Sequence, residues 1–179
     1  MNGYLRSLAL ALGAALMPTA ALGQACTAPI PAGTCPSTTS TTLTVGRVIQ
    51  LILSSTTTTL APPALSDYDA GFVANQGPSA TVKSNRAWRL QVSALAAIWT
   101  ATSTQPGVVA RPNKPASDLQ WSTAAGGPFT GLTTVPVTAV SGAATAGATT
   151  NLYYHTLYNW TVDTPGSYSL IAVFTVVSP

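Results

Sequence analysis

From Trp88 to Ser93 the chain alternates strictly, with Trp88, Leu90 and Val92 between Arg89, Gln91 and Ser93. A period of two puts apolar side chains on one face of an extended segment and polar ones on the other, which a helix cannot do. This half-buried strand constrains everything around it, because a strand of this kind needs sheet neighbours and a second layer to cover its apolar face.

A second strand is expected from Leu152 through Tyr154, Tyr158, Trp160 and Val162, with Tyr153, His155, Asn159, Thr161 and Asp163 on the opposite face. Trp88 and Trp160 are in phase with aliphatic neighbours and read as core. In Asp163-Thr164-Pro165-Gly166, Pro suits the second and Gly the left-handed third position of a type II turn. Residues 168–177 then form a last strand, so the C-terminal segments read as a long hairpin. Shorter strands are expected over 97–102, 119–122 and 132–140. Residues 43–53 read as a strand buried on both faces or switching sheets. Roughly eight strands separated by turn signals predict an all-β fold, an immunoglobulin-like antiparallel β-sandwich.

Composition agrees with strands and narrows the surface chemistry. Only 6% of residues are charged, and there is no Glu. The polar faces are therefore hydroxyl faces, rich in Thr, whose branched Cβ favours strands. The formal charge is +3. Arg47, Lys83, Arg86, Arg89, Arg111 and Lys114 are dispersed rather than clustered, so no nucleic-acid partner is expected.

The first residues read as an address. Arg6 precedes a short apolar run ending at Pro18, and small residues at Ala21 and Gly23 suit cleavage before Gln24, giving a signal peptide over 1–23 and an exported chain with no membrane span after cleavage. Residues 24–42 form a loop and a Ser/Thr-rich lead-in, and residues 43–179 form the sandwich domain. In an oxidising compartment Cys26 and Cys35 are expected to pair, closing a short loop. The protein is expected at the cell surface, in the periplasm or outside the cell.

The groups that carry out catalysis are scarce. The only carboxylate side chains are Asp67, Asp69, Asp118 and Asp163, with a single His155. No nucleophile elbow, metalloprotease helix, P-loop or dinucleotide fingerprint occurs, so no enzyme, cofactor or metal is expected. Asp67-Tyr68-Asp69-Ala70-Gly71 has the look of a calcium loop, but Pro78 stands where the distal acidic ligand belongs, so a solvated turn is expected. His155 reads as a surface or edge imidazole. Trp99 and Trp121, beside long loops, are candidates for surface contact with sugar or peptide. Asn159-Trp160-Thr161 is a glycosylation sequon lying in the middle of an expected strand, and nothing is drawn from it. The longest loops, 103–118 and 141–149, hold Arg111, Lys114, Asp118, Gly142 and Gly147 as candidate functional or flexible positions.

Trp88-Arg89-Leu90, with Val82-Lys83-Ser84-Asn85 before it and Pro165-Gly166-Ser167-Tyr168 leading to Phe174-Thr175-Val176, resembles bacterial WxL-type surface domains over residues 43–179. The distal motif has Phe and Val where that family has Trp and Leu. The resemblance implies a secreted β-sandwich held non-covalently at the cell wall, with Trp88, Leu90, Phe174 and Val176 as the wall-binding or packing positions. The signal peptide, cysteine pair, Thr-rich β domain and apolar closing strand are also similar to spore-coat-U-type pilus subunits. Independently, a surface poor in Lys and Glu lacks the charges that block edge pairing, so strand addition between copies is an expectation, with residues 38–53 as the donated strand. The chain is thus expected to be a non-catalytic structural or adhesive protein of the cell envelope. The alternatives are a peptidoglycan- or glycan-binding module and a filament subunit. Its partners would be wall polymer, other surface proteins or itself.

Overall fold

A computed structural model describes residues 39–179. The signal peptide and the Cys26–Cys35 pair lie outside these residues. Val45–Pro179 cluster as one unit.

Among the described residues the fold is an antiparallel β-sandwich of ten strands rather than about eight. In chain order these are β1 (Ile49–Leu53), β2 (Phe72–Ser84), β3 (Trp88–Ala94), β4 (Thr100–Thr102), β5 (Leu119–Ser122), β6 (Thr130–Gly131), β7 (Val137–Gly142), β8 (Thr145–Leu157), β9 (Ser167–Ser169) and β10 (Ala172–Val177). One sheet runs β1-β2-β8-β5-β6, the other β10-β3-β7, and β4 and β9 form a separate ribbon. Between the two sheets, Val82 of β2, Trp88, Leu90 and Val92 of β3, Leu119 and Trp121 of β5, and Leu152 and Tyr154 of β8 make one core. The alternation of β3 is borne out, with Leu90 fully buried.

The spine of the larger sheet is the pairing of two 13-residue strands, β2 and β8. β2 escapes a sequence reading because Gly77-Pro78 looks like a turn. The chain instead stays extended, and a register shift between Gln76 and Ser79 takes up the proline, which cannot donate to the ladder. Gly77 is needed there for contact: a Cβ would lie 2.7 Å from the ring of Tyr154.

Several expected strands end elsewhere. The strand expected to reach Val162 stops at Leu157, and Trp160 is 55% exposed in a turn rather than in the core. Local polar bonds override the alternation: the Asn159 side chain accepts from the Thr161 N–H and hydroxyl at 2.9 and 2.7 Å, and the Asp163 N–H donates to the Asn159 carbonyl at 3.0 Å. The sequon therefore sits in a turn and not in the middle of a strand. Gly166 has no positive φ, so the type II turn is not formed. Its lack of a side chain serves close packing, since a Cβ would meet Ala110 Cβ at 2.5 Å. The final segment is two strands in different sheets: β9 pairs with β4, and β10 with β3. No C-terminal hairpin with β8 exists. Residues 141–149 are not a long loop but the tight junction of β7 and β8.

Asp67-Tyr68-Asp69-Ala70 belongs to a short helix, α1 (Leu65–Ala70), and not to a calcium loop. The Asp67 carboxylate accepts from the Ala64 N–H at 2.7 Å, and Gly71 ends the helix at φ 81°. Ahead of β10, the Tyr168 hydroxyl donates to the Thr164 carbonyl at 2.6 Å, tying the corner back to the preceding backbone as immunoglobulin-like sandwiches do.

Candidate functional site

Both sheets end on the same side of the sandwich, one in β1 and the other in β10. Each is paired with a single neighbour, β2 and β3 respectively, and the two lie next to each other. Residues 43–53 were expected as a strand buried on both faces or switching sheets, yet β1 is an edge strand: Ile49 is 38% and Ile52 43% exposed. Leu51 and Leu53 of β1, and Ala172, Phe174 and Val176 of β10, face the core but are only partly covered. A cleft of about 820 Å³ opens at this seam. It is lined by Leu53, Leu60, Leu170 and Phe174, by the hydroxyl run from Ser55 to Thr59, and at its polar end by Lys114, Thr156, Tyr158 and Asp163.

The polar end is a buried charge network. Lys114, 2% exposed, donates to Asp163 at 2.9 Å, to Asp118 at 3.1 Å and to the Leu157 carbonyl at 2.8 Å. Arg111 donates to Asp163 at 3.0 Å and to Asp118 at 3.2 Å. Two cations thus face two carboxylates, as a buried charge demands. Burial acts to raise the Asp163 pKa, but hydrogen bonds from Lys114 and Arg111, the Lys114 charge and the Asn159 N–H together hold it below its ordinary value. Burial, with nearby Tyr68 and Asp163, pushes the Tyr158 phenol up to about 12, and burial does the same for Tyr154. Both phenols stay neutral. The network pins loop 103–118 to the segment after β8. All three Lys114 protons are engaged within it, so it holds structure and offers no free cation.

One buried polar group near the cleft is unmatched. The Thr156 hydroxyl is fully enclosed and has no hydrogen-bond partner among the described residues.

Among the described residues, no three His, Cys, Asp or Glu side chains come together to hold a metal ion. No protein-family model matches the chain, and no curated protein matches it significantly.

The structure brings some candidate residues together and separates others. Arg111, Lys114 and Asp118, known from the sequence only as loop positions, meet Asp163, and the sole sequence signal was the i, i+4 spacing of Lys114 and Asp118. Trp99 and Trp121 are not surface contacts: they are 4% and 6% exposed, and Trp99 Nε1 donates to the Pro115 carbonyl at 3.0 Å. Trp88 and Leu90 are buried, with Phe174 opposite Val92 and Val176 opposite Leu90 across the β3–β10 pair. Trp88 Nε1 donates to the Ala143 carbonyl at 2.8 Å. Neither Trp88 nor Leu90 presents a face to a polymer. His155, read as a surface or edge imidazole with no ligand, lies on the outer face of β8 between Phe72 and Phe129, with ring centroids 4.2 and 3.6 Å away. The exposed tryptophan is Trp160, stacked on Tyr68 at 4.4 Å, with its Nε1 donating to Asp69 at 3.2 Å.

Residues 38–53 as a whole are not free to be donated, because Ile49–Leu53 pair with Ser84 to Ala80 in the chain's own sheet. Residues 39–48 are exposed and outside any strand, with Leu43 86%, Val45 75% and Val48 66% exposed.

Proposed function

We propose that this is a non-catalytic structural subunit of the cell envelope or its exterior, and that it assembles by adding a β-strand from one copy to the open seam of the next. The observation that carries this reading is the asymmetry of the core: inward residues of β3, β5 and β8 are sealed, while those of β1 and β10 remain half covered beside a cleft and strand edges that pair with no further strand among the described residues. An unpaired edge with a row of free N–H and C=O groups is a template for another strand. The surface charge that usually blocks such pairing is nearly absent.

The occupant is a second copy, supplying residues 39–48. Leu43 and Val45 lie on one face of that segment when extended, with Thr42 and Thr44 on the other. Ten residues span roughly 33 Å, more than the six of β10 require. Asn85 accepts from the Val48 N–H at 3.0 Å and donates to the Gly46 carbonyl at 2.8 Å, tying residues 46–48 to the Ile49 end of β1, whereas the cleft reaches the Leu53 end.

The test is the assembly state of the exported chain, by size-exclusion chromatography with light scattering over a concentration series. Wild-type protein should form oligomers that grow with concentration, and Leu43→Asp should leave a monomer of unchanged melting temperature. A wild-type monomer at every concentration would overturn the reading and turn attention to wall or glycan binding, with a peptidoglycan pull-down as its assay.

A further inference from the structure

The fold sorts charge that the sequence scatters. Arg47, Lys83, Arg86 and Arg89 are all exposed, and all lie at one end of the sandwich. Lys83 stands opposite Gln50 near the start of β1, and Arg89 opposite Val177 at the end of β10. Arg86 is in the turn between β2 and β3, where the Asn85 side chain binds the backbone on either side of Arg47, at Gly46 and Val48. None of the four is in an ion pair among the described residues. The carboxylates gather at the other end. Asp67 and Asp69 sit in α1, which leads into Phe72 at the far end of the 13-residue β2, roughly 40 Å from Ser84 at full extension. Asp118 and Asp163 are at that end too, beside Leu119 and Leu157, but Arg111 and Lys114 neutralise them. The sandwich therefore has a pole of four cations and a pole of two unneutralised carboxylates.

The exposed lead-in joins the body at the cationic pole, because residues 46–48 are tied there. A lead-in laid along the seam of another copy thus carries its own cationic pole to one end of that copy or the other. Running antiparallel to β10 and parallel to β1, it brings the pole toward Asp67 and Asp69. Running the opposite way, it brings the pole against the acceptor's own Arg47, Lys83, Arg86 and Arg89. The backbone discriminates little between the two: the first direction is antiparallel to the six residues of β10, the second to the five of β1. Charge discriminates clearly, since a chain with 6% charged residues has little else to offset four cations meeting four.

Resting on the strand-addition reading, we propose that the two poles fix the direction of assembly: the incoming strand runs antiparallel to β10, and the cationic pole of each copy docks toward the Asp67 and Asp69 pole of the next. Such a junction is heterologous, so copies add head to tail and the growing assembly keeps one free pole of each sign at its two ends.

Direction is read by photo-crosslinking the full chain. Copies carrying Thr39→benzoylphenylalanine are mixed with isotope-labelled wild type and irradiated, and the peptides joined between copies are mapped by mass spectrometry. Attachment around Arg89 and Val177 is expected. Attachment around Leu53, Ala172 or Asp69 would overturn the inference and leave strand addition standing. Charge is read from association constants by analytical ultracentrifugation. Arg86→Glu and Asp69→Lys should each weaken association about fivefold, and both in one chain should restore it, because every junction then meets a reversed pair. Each variant monomer should melt as wild type does, which separates weakened assembly from lost folding. Additive losses in place of rescue, or an Arg86→Glu chain that assembles as tightly as wild type while Leu43→Asp stays monomeric, also sink the polarity. If Leu43→Asp assembles normally, or irradiation joins residue 39 to neither end of the seam, strand addition itself falls.

Discussion

β3 and β10 are hydrogen-bonded neighbours that face the same interior, yet they are covered very differently. Trp88, Leu90 and Val92 of β3 are 3%, 0% and 1% exposed, whereas Phe174 and Val176, directly across from Val92 and Leu90, are only half buried. β3 sits in the middle of its sheet, between β10 and β7, and faces the long β2–β8 spine. β10 is the last strand of its sheet and lies beside the short edge strand β1. The lesson is that apolar pattern reports which face a side chain takes, while the number of strands beside it decides how much that burial is worth.

The largest difference should come from truncating the two aromatic residues. Trp88→Ala should cost about 3–5 kcal/mol by urea denaturation, since it removes a sealed side chain and leaves a cavity under β7. Phe174→Ala in the monomer should cost about half as much, because part of its surface is already in contact with water. Equal losses at the two positions would mean that the seam is closed in solution.

Next in size is the charge network that closes one end of the cleft. Lys114→Met should destabilise by about 3 kcal/mol, because it leaves Asp163 buried with only Arg111 to face it. Lys83→Met, on an exposed position of β2, should change stability by no more than about 0.5 kcal/mol. Asp163 has a folded pKa below its reference value of 3.8, so its stabilisation is complete above that pH and is lost as pH falls through the folded value. Acid unfolding monitored by circular dichroism should therefore shift to higher pH in Asp163→Asn.

Gly166→Ala should cost about 1–3 kcal/mol, as the added methyl meets Ala110 Cβ and the Thr102 carbonyl, which holds the β4–β9 ribbon against loop 103–118. A tolerated alanine here would show that the ribbon moves freely against that loop.

What could be read from the sequence follows the same division. β3 and β5 were legible because alternation or an apolar run ends where the strand ends. The two-sheet core followed from them. β2 was not, since Gly77-Pro78 imitates a turn and only the bulge opposite Asn151 and Tyr153 reveals that the strand continues. Trp160 was misplaced because Asn159, Thr161 and Asp163 satisfy one another locally, and a short polar turn defeats a pattern based on hydrophobicity. The cleft was invisible for a different reason: neither the Arg111–Lys114–Asp118–Asp163 network nor the open seam has a local signature, because each is made where distant segments meet.

The smallest effect separates the outer face of the larger sheet from its inner one. His155 projects opposite to Tyr154 and Thr156 and is held between the rings of Phe72, on β2, and Phe129, in the loop before β6. Taking the ring partly out of water disfavours its charge, and the His155 pKa lies below its ordinary 6.5. The unfolded chain then binds a proton more readily than the folded one, so stability is complete above pH 6.5 and declines as pH falls from there toward the folded pKa. Urea titrations at about pH 7 and about pH 5 should show a small loss in the wild type and none in His155→Leu. Asp163 contributes nothing in that window, because its own loss begins only below its reference value of 3.8. The difference between the two proteins at the lower pH is therefore a reading of the outer face alone, and a loss that persists in His155→Leu would place the titrating group elsewhere.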